Sequence, residues 1–125
     1  MRIRQRRAAQ LGFLHLCDDR RFHRKTMDAF EQATGLASDR YWIEATVGGA
    51  PGQALRPRGA DYAYRQGARH LAWAAHGDDC GGFPGADDDR IREMLERTVV
   101  RRRLEYPEAQ HYVFFAAGRR LTRLA

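Results

Sequence analysis

Residues 12–21 read Gly12-Phe13-Leu14-His15-Leu16-Cys17-Asp18-Asp19-Arg20-Arg21, an apolar run of strand length that stops at a charged cluster. After it, from Phe22 to Thr34, apolar residues (Phe22, Ala29, Phe30, Ala33) recur at helical spacing, and Gly35 is a natural C-terminal stop. Tyr41 to Val47 is rich in aromatic and β-branched residues and reads as a second strand, broken by Gly48-Gly49-Ala50-Pro51-Gly52. Residues 60–69 are weakly helical, with Gly67 against them. Leu71 to Ala75 is a third apolar run, ending at His76, and the glycine-rich stretch 77–85 cannot stay regular for long. Asp87-Asp88-Asp89 then opens the strongest helical pattern of the chain. Its carboxylates sit where the helix dipole favours them, Ile91, Leu95 and Val99 share one face, and Arg101 to Arg103 lie at the far end before Pro107. Tyr112 to Ala117 is a fourth strand and Leu121 to Leu124 a short fifth.

Strands alternating with helices predict an α/β fold: a three-layer, mostly parallel sheet of four to five strands with right-handed crossover helices. Ligands of such sheets bind beyond the carboxyl ends of the strands. That rule selects the positions after Cys17, after Val47 and after His76.

Length and composition narrow the classes. At 125 residues the chain is of one-domain size. Residues 1–10 read as a basic flexible arm and residues 11–125 as the single domain. With 43% hydrophobic residues and only two cysteines, neither disorder nor a disulfide framework is expected. No apolar run approaches the roughly 18–20 residues that span a bilayer, and no apolar segment follows the basic start, so neither a membrane span nor a secretory signal is expected. We expect a cytoplasmic protein. The formal charge of +6 is carried almost wholly by arginine, since Lys25 is the only lysine. Arginine clusters only at Arg2 to Arg7 and Arg97 to Arg103. These stretches would serve a nucleic-acid-binding module, but no recognition motif accompanies them, and nucleic acid is not expected as a partner.

The cysteines carry the chemistry. Cys17 ends the first strand and Cys80 lies just beyond the third, four residues after His76. Adjacent parallel strands would bring Cys17, His76 and Cys80 to one edge of the sheet. Two thiolates and an imidazole suit zinc, and three protein ligands leave a fourth position open, as in catalytic sites. One cysteine or histidine alone would be read as a packed core residue. Both cysteines of the chain at strand ends, one beside a histidine, point to a metal. A thiol–disulfide role is the alternative, although the closely spaced Cys-x-x-Cys arrangement is missing. Asp19 and Arg21 follow Cys17 as Cys-x-Asp-x-Arg. An arginine fork can hold a carboxylate ionised and fixed through two hydrogen bonds. Such a carboxylate could orient a metal-bound water, accept its proton, or close the site as a fourth ligand.

These motifs resemble those of the β-class carbonic anhydrases and their carbonic anhydrase-like relatives. That family carries Cys-x-Asp-x-Arg after its first strand, matched by Cys17-Asp18-Asp19-Arg20-Arg21. It carries His-x-x-Cys-Gly after its third, approached here by His76-Gly77-Asp78-Asp79-Cys80-Gly81 with one residue more between the ligands. A small bulge at Gly77 would absorb that residue. The family's glycine-rich loop after the second strand is echoed by Gly48 and Gly49, the cofactor-side glycines. The match runs in order over residues 12 to 117.

The resemblance implies a carbonic anhydrase-like zinc domain with Zn2+ on Cys17, His76 and Cys80, and Asp19 and Arg21 as a catalytic dyad. It implies reversible hydration of carbon dioxide to bicarbonate by a zinc-bound hydroxide. The alternative is a zinc-binding relative that acts on another small electrophile or does no catalysis. His15, His23 and His70 are candidate proton shuttles by residue type alone. A homodimer or larger homo-oligomer is expected, because Tyr112 to Ala117 is apolar on both sides and would need cover as an edge strand.

Overall fold

Gly12–Cys17, the run that opened the reading, forms β1 and is buried along its whole length. The structure is a computed structural model that describes residues 10–53, 55–118 and 120–125. Beside β1 lie β2 (Tyr41–Thr46) and β3 (His70–His76), both parallel to it. β4 (Gln110–Ala117) pairs in parallel with β3, and β5 (Arg120–Arg123) pairs antiparallel with β4. The order across the sheet is β2-β1-β3-β4-β5. The fold is therefore mixed α/β with a mostly parallel five-stranded sheet. The antiparallel β5 departs from the all-parallel expectation for a simple reason. The link from β4 to β5 is far shorter than the dozen or so residues a parallel crossover needs.

Three helices connect the parallel strands: α1 (His23–Thr34), α2 (Arg58–Arg65) and α3 (Asp88–Glu105). Side chains alternate across each strand, so each strand feeds two cores. Phe13, Trp73, Val113 and Phe115 pack with Ala60 and Ala63 of α2 and with Ile91, Leu95 and Val99 of α3. Leu14, Leu16, Ala72 and Phe114 pack on the opposite face with Phe30 of α1.

Local chemistry sets the helix ends. α1 begins at His23, one residue later than the apolar spacing suggested, and closes on Gly35, whose φ of 75° and N–H bond to the Glu31 carbonyl form a left-handed cap. α2 starts directly after Pro57, earlier than expected, and ends before Gly67. The Asp87 carboxylate caps α3 by accepting from the Arg90 N–H at 2.8 Å.

Two expectations change. Tyr112–Ala117 lies within β4, which is not an edge: β5 covers it, and Tyr112, Val113, Phe114, Phe115 and Ala116 are buried. Among the described residues, the free edges are β2 and β5. The Arg97–Arg103 cluster does not form one basic surface either. Arg102 is fully buried, its guanidinium donating to the carbonyls of Gln53 and Leu55 and to Glu105. Of the N-terminal arm only Gln10, which is exposed, belongs to the described residues; Arg2 to Arg7 lie outside them. Among the described residues, no helix is long and apolar enough to cross a membrane.

Candidate metal centre

Gly12 of β1 stands opposite His70 of β3, so the two strands run side by side and Cys17 and His76 end them at the same sheet edge. Cys80 reaches this edge through the turn after β3. The turn accommodates the additional residue differently from the expectation. Gly77 is not left-handed; Asp78 and Asp79 are, with φ of 54° and 62°. Aspartate tolerates that region better than most residues. Gly77 serves in another way, since a Cβ there would collide with the Asp88 carboxylate and push it from its place.

Several hydrogen bonds pin the turn. Asp88 at the start of α3 accepts from the Asp78 N–H at 3.0 Å. Asp78 in turn accepts from the Gly118 N–H with its own carboxylate. The Gly77 N–H donates to the Ala116 carbonyl at 2.8 Å. Asp78 and Asp88 thus belong to the site's framework, although the sequence marked them only as part of a loop and a helix start.

The three ligand atoms of Cys17, His76 and Cys80 lie within 4.8 Å of one another, and all three residues are buried. His76 Nδ1 lies 2.6 Å from the Gly77 carbonyl, which can only accept, so Nδ1 carries hydrogen and Nε2 faces the Cys17 sulfur at 3.2 Å. That is the usual device for fixing a ligand histidine. Phe22 stacks on the His76 ring, with centroids 4.4 Å apart and planes 22° off parallel. Sequence pattern alone assigned Phe22 only to the apolar face of α1.

The electrostatics favour charged ligands at one position in particular. Burial pushes the Cys17 thiol up, but hydrogen bonds from His76 and from the backbone N–H groups of Asp19 and Gly48 outweigh it, and the net shift is down. Burial pulls His76 down, but its bonds to Cys17 and to the Gly77 carbonyl, and the nearby Cys17 and Asp19 charges, raise it overall. Cys80 is raised, first by burial and then by the adjacent Cys17, against the pull of the Gly82 and Phe83 N–H groups. Tetrahedral zinc, with bonds of about 2.0–2.3 Å, would hold such donors roughly 3.3–3.8 Å apart. The observed span is close enough, and the donor set soft enough, for a buried Cys-His-Cys group that could hold a metal ion.

Asp19 stays outside that group. Arg21 grips it through Nε at 3.1 Å from both carboxylate oxygens and Nη2 at 2.7 Å from Oδ2, and the Arg21 N–H adds a bond at 3.0 Å. Asp19 Oδ2 lies 3.6 Å from His76 Nε2. The Arg21 guanidinium holds the Asp19 carboxyl well below the usual carboxylate range. Arg21 also donates to the Asp78 carbonyl at 3.2 Å, tying the first motif to the turn of the second.

The remaining predicted residues divide. Gly48 and Gly49 lie at the centre, both left-handed. A Cβ on Gly49 would stand 2.5 Å from the Ala74 carbonyl oxygen and 3.1 Å from the Cys17 nitrogen, so only glycine lets the loop reach the strand ends. His23 is beside the site, with Nε2 2.9 Å from the Cys17 carbonyl, to which it donates. His15 is a core residue bonded to Thr46 Oγ1 at 2.7 Å, and His70 sits at the opposite end of β3, bonded to the Tyr112 hydroxyl. An open depression of about 440 Å³ leads to Cys17 and Asp19 between Val47, Arg20 and the Gly81-Gly82 backbone.

No family model matches the chain, and no curated protein or solved structure matches it.

Proposed function

We propose that the protein is a zinc protein of the β-class carbonic anhydrase kind, with Cys17, His76 and Cys80 as the ligands of one Zn2+ per chain, and that it hydrates carbon dioxide reversibly to bicarbonate. One observation supports this reading: three buried ligand atoms within 4.8 Å, beside a carboxylate gripped by an arginine fork. Zinc would supply Lewis-acid activation of water at neutral pH. The chain's own residues do the rest. Arg21 keeps Asp19 ionised and oriented, so Asp19 can accept a hydrogen bond from a water entering through the depression and orient it. The stacking of Phe22 and the Gly77 carbonyl fix the His76 ring. His23, the one shuttle candidate near the site, lies on the Cys17 carbonyl.

The depression also supports a second reading. It is open and bordered by Asp18 and Arg20 as well as Val47, which suits a substrate larger and more polar than carbon dioxide, or a zinc site without hydratase activity. The proposed homodimer now rests on β2, whose outer edge is unpaired among the described residues and whose Ile43 is exposed.

Metal analysis and stopped-flow hydration at pH 7–9 test these readings. One zinc per chain in the wild type and little in Cys17→Ser are expected. Asp19→Ala should keep the zinc and lose hydration by about 10²- to 10⁴-fold, the usual weight of a positioning or acid–base group. Zinc-replete wild type without hydration would refute the enzyme reading and leave the metal reading standing. Light scattering that shows only monomer at micromolar concentration would refute the dimer.

A further inference from the structure

We propose that Cys17 and Cys80 have a second, mutually exclusive chemistry: in the metal-free chain they close an intramolecular disulfide when a low-molecular-weight disulfide oxidises them, and the site then refuses metal until it is reduced. The inference rests on the metal reading above for its second half, and on geometry alone for its first.

Both cysteines are free, they are the only two in the chain, and their sulfur atoms lie within 4.8 Å of each other. No other thiol can compete as a partner within the chain. Cys17 is buried, at 6% exposure, and it lines the open depression, which is the route from solvent toward it. Its position is fixed at the end of β1, whereas Cys80 is followed by Gly81 and Gly82 in a non-regular segment. Gly81 stands clear of its surroundings, but a Cβ on Gly82 would stand 2.6 Å from the Gly48 Cα, so the loop is seated there and Cys80 approaches by turning its own side chain. Zinc would draw two sulfurs to roughly 3.8 Å of each other. A disulfide needs about 2.05 Å. The same inward movement of Cys80 therefore serves both, and the two outcomes diverge only at the last step.

The exchange balances without further reagents. The Cys17 thiolate attacks one sulfur of RSSR, forming a Cys17–SR bond and releasing RS⁻. The Cys80 thiolate then attacks the Cys17 sulfur, forming the Cys17–Cys80 bond and releasing the second RS⁻. The two cysteines lose two electrons, RSSR gains them, and the two thiol protons end on the released RSH molecules. Metal ligation requires thiolates. A disulfide offers none, and a bound metal in turn holds both thiolates away from the oxidant.

Oxidised glutathione is a suitable probe for the full chain, reduced and stripped with a chelator. The expected product has lost both thiols and two hydrogen atoms of mass, carries no glutathione and is not cross-linked to another chain. It should take up no zinc until a reductant is added. Zinc held about 100-fold above its Kd should slow the oxidation by about 100-fold, since only the free form reacts. Cys80→Ser lacks the resolving thiol and should stop with one glutathione on Cys17. Wild type that retains glutathione adducts, links chains together or keeps its thiols would overturn the proposal. Wild type that takes up zinc but never closes the disulfide refutes it and spares the metal reading. Wild type that closes the disulfide yet binds no zinc when reduced refutes the metal reading, and the gating with it.

Discussion

Replacing Gly49 by alanine adds one methyl group at the point where the loop after β2 touches the ends of β1 and β3. Two penalties meet there. The Gly49 backbone has φ 65° and ψ −150°, a region close to glycine-only, and holding alanine in such a conformation costs about 1–3 kcal/mol. The new Cβ would also stand 2.5 Å from the Ala74 carbonyl oxygen and 3.1 Å from the Cys17 nitrogen. Both are backbone atoms of sheet strands and cannot turn aside as a side chain would. Forcing them apart adds about 1–3 kcal/mol. The sum, about 2–6 kcal/mol, is a large share of the roughly 5–15 kcal/mol that stabilises a domain. Gly35→Ala is the matched control. Its φ of 75° is also left-handed, but nothing lies within 4 Å of the added Cβ, so only the backbone penalty of about 1–2 kcal/mol applies. Thermal and urea unfolding of chelator-treated protein, followed by circular dichroism, separates the two. At roughly 4 °C per kcal/mol for a domain of this size, Gly49→Ala should melt about 8 °C or more below wild type and clearly below Gly35→Ala. Binding of the proposed zinc should weaken as well, because the displaced loop carries the Gly48 N–H that bonds the Cys17 sulfur. Equal melting of the two variants would refute the close-packing argument.

Three further outcomes are expected. Arg102→Met should destabilise the fold by about 3–5 kcal/mol in urea, because the buried guanidinium is the donor to the Gln53 and Leu55 carbonyls and to Glu105; a loss under about 1 kcal/mol would show that the network is dispensable. His111 is lowered, first by burial: its Nδ1 accepts from Trp73 Nε1 and its Nε2 donates to the Tyr106 carbonyl, so the neutral ring is the bound form. The unfolded chain then takes up the proton first, and stability falls as pH drops below about 6.5. The urea midpoint should fall less over that range in His111→Gln than in wild type, and an unchanged slope would remove His111 from the acid response. Finally, Phe22→Leu keeps apolar bulk but loses the ring stacked on His76. Cobalt titration, read by the thiolate-to-metal absorption, should show weaker binding with the fold intact, and unaltered affinity would make the stacking incidental.

Much of the architecture was legible in residue order. The continuous apolar runs at 12–17 and 71–76, the acidic start of α3 and the Gly35 stop are local signals, each set by neighbours a few residues away. They sufficed to place Cys17 and His76 at strand ends, and the Cys-x-Asp-x-Arg spacing sufficed to pair Asp19 with Arg21, since a fork two residues along the chain can reach the carboxylate. Contacts between distant segments were decided only by the tertiary structure. Whether Tyr112–Ala117 is an edge depends on where the last strand lands, and the short link to β5 turns it back to cover that run. Whether an arginine faces solvent depends on what the helix packs against, which is why Arg102 is buried between two exposed arginines. The same holds for the histidines. His15, His23 and His70 are alike as residue types, yet the parallel register sends the first into the core and the last to the far end of the sheet, and leaves His23 at the Cys17 carbonyl. The turn between His76 and Cys80 is made at Asp78 and Asp79, because Asp88 and Gly118, both remote in sequence, hold Asp78 in place. Local propensity acts through short range and can be read along the chain, whereas burial and site geometry come from partners that only folding brings near.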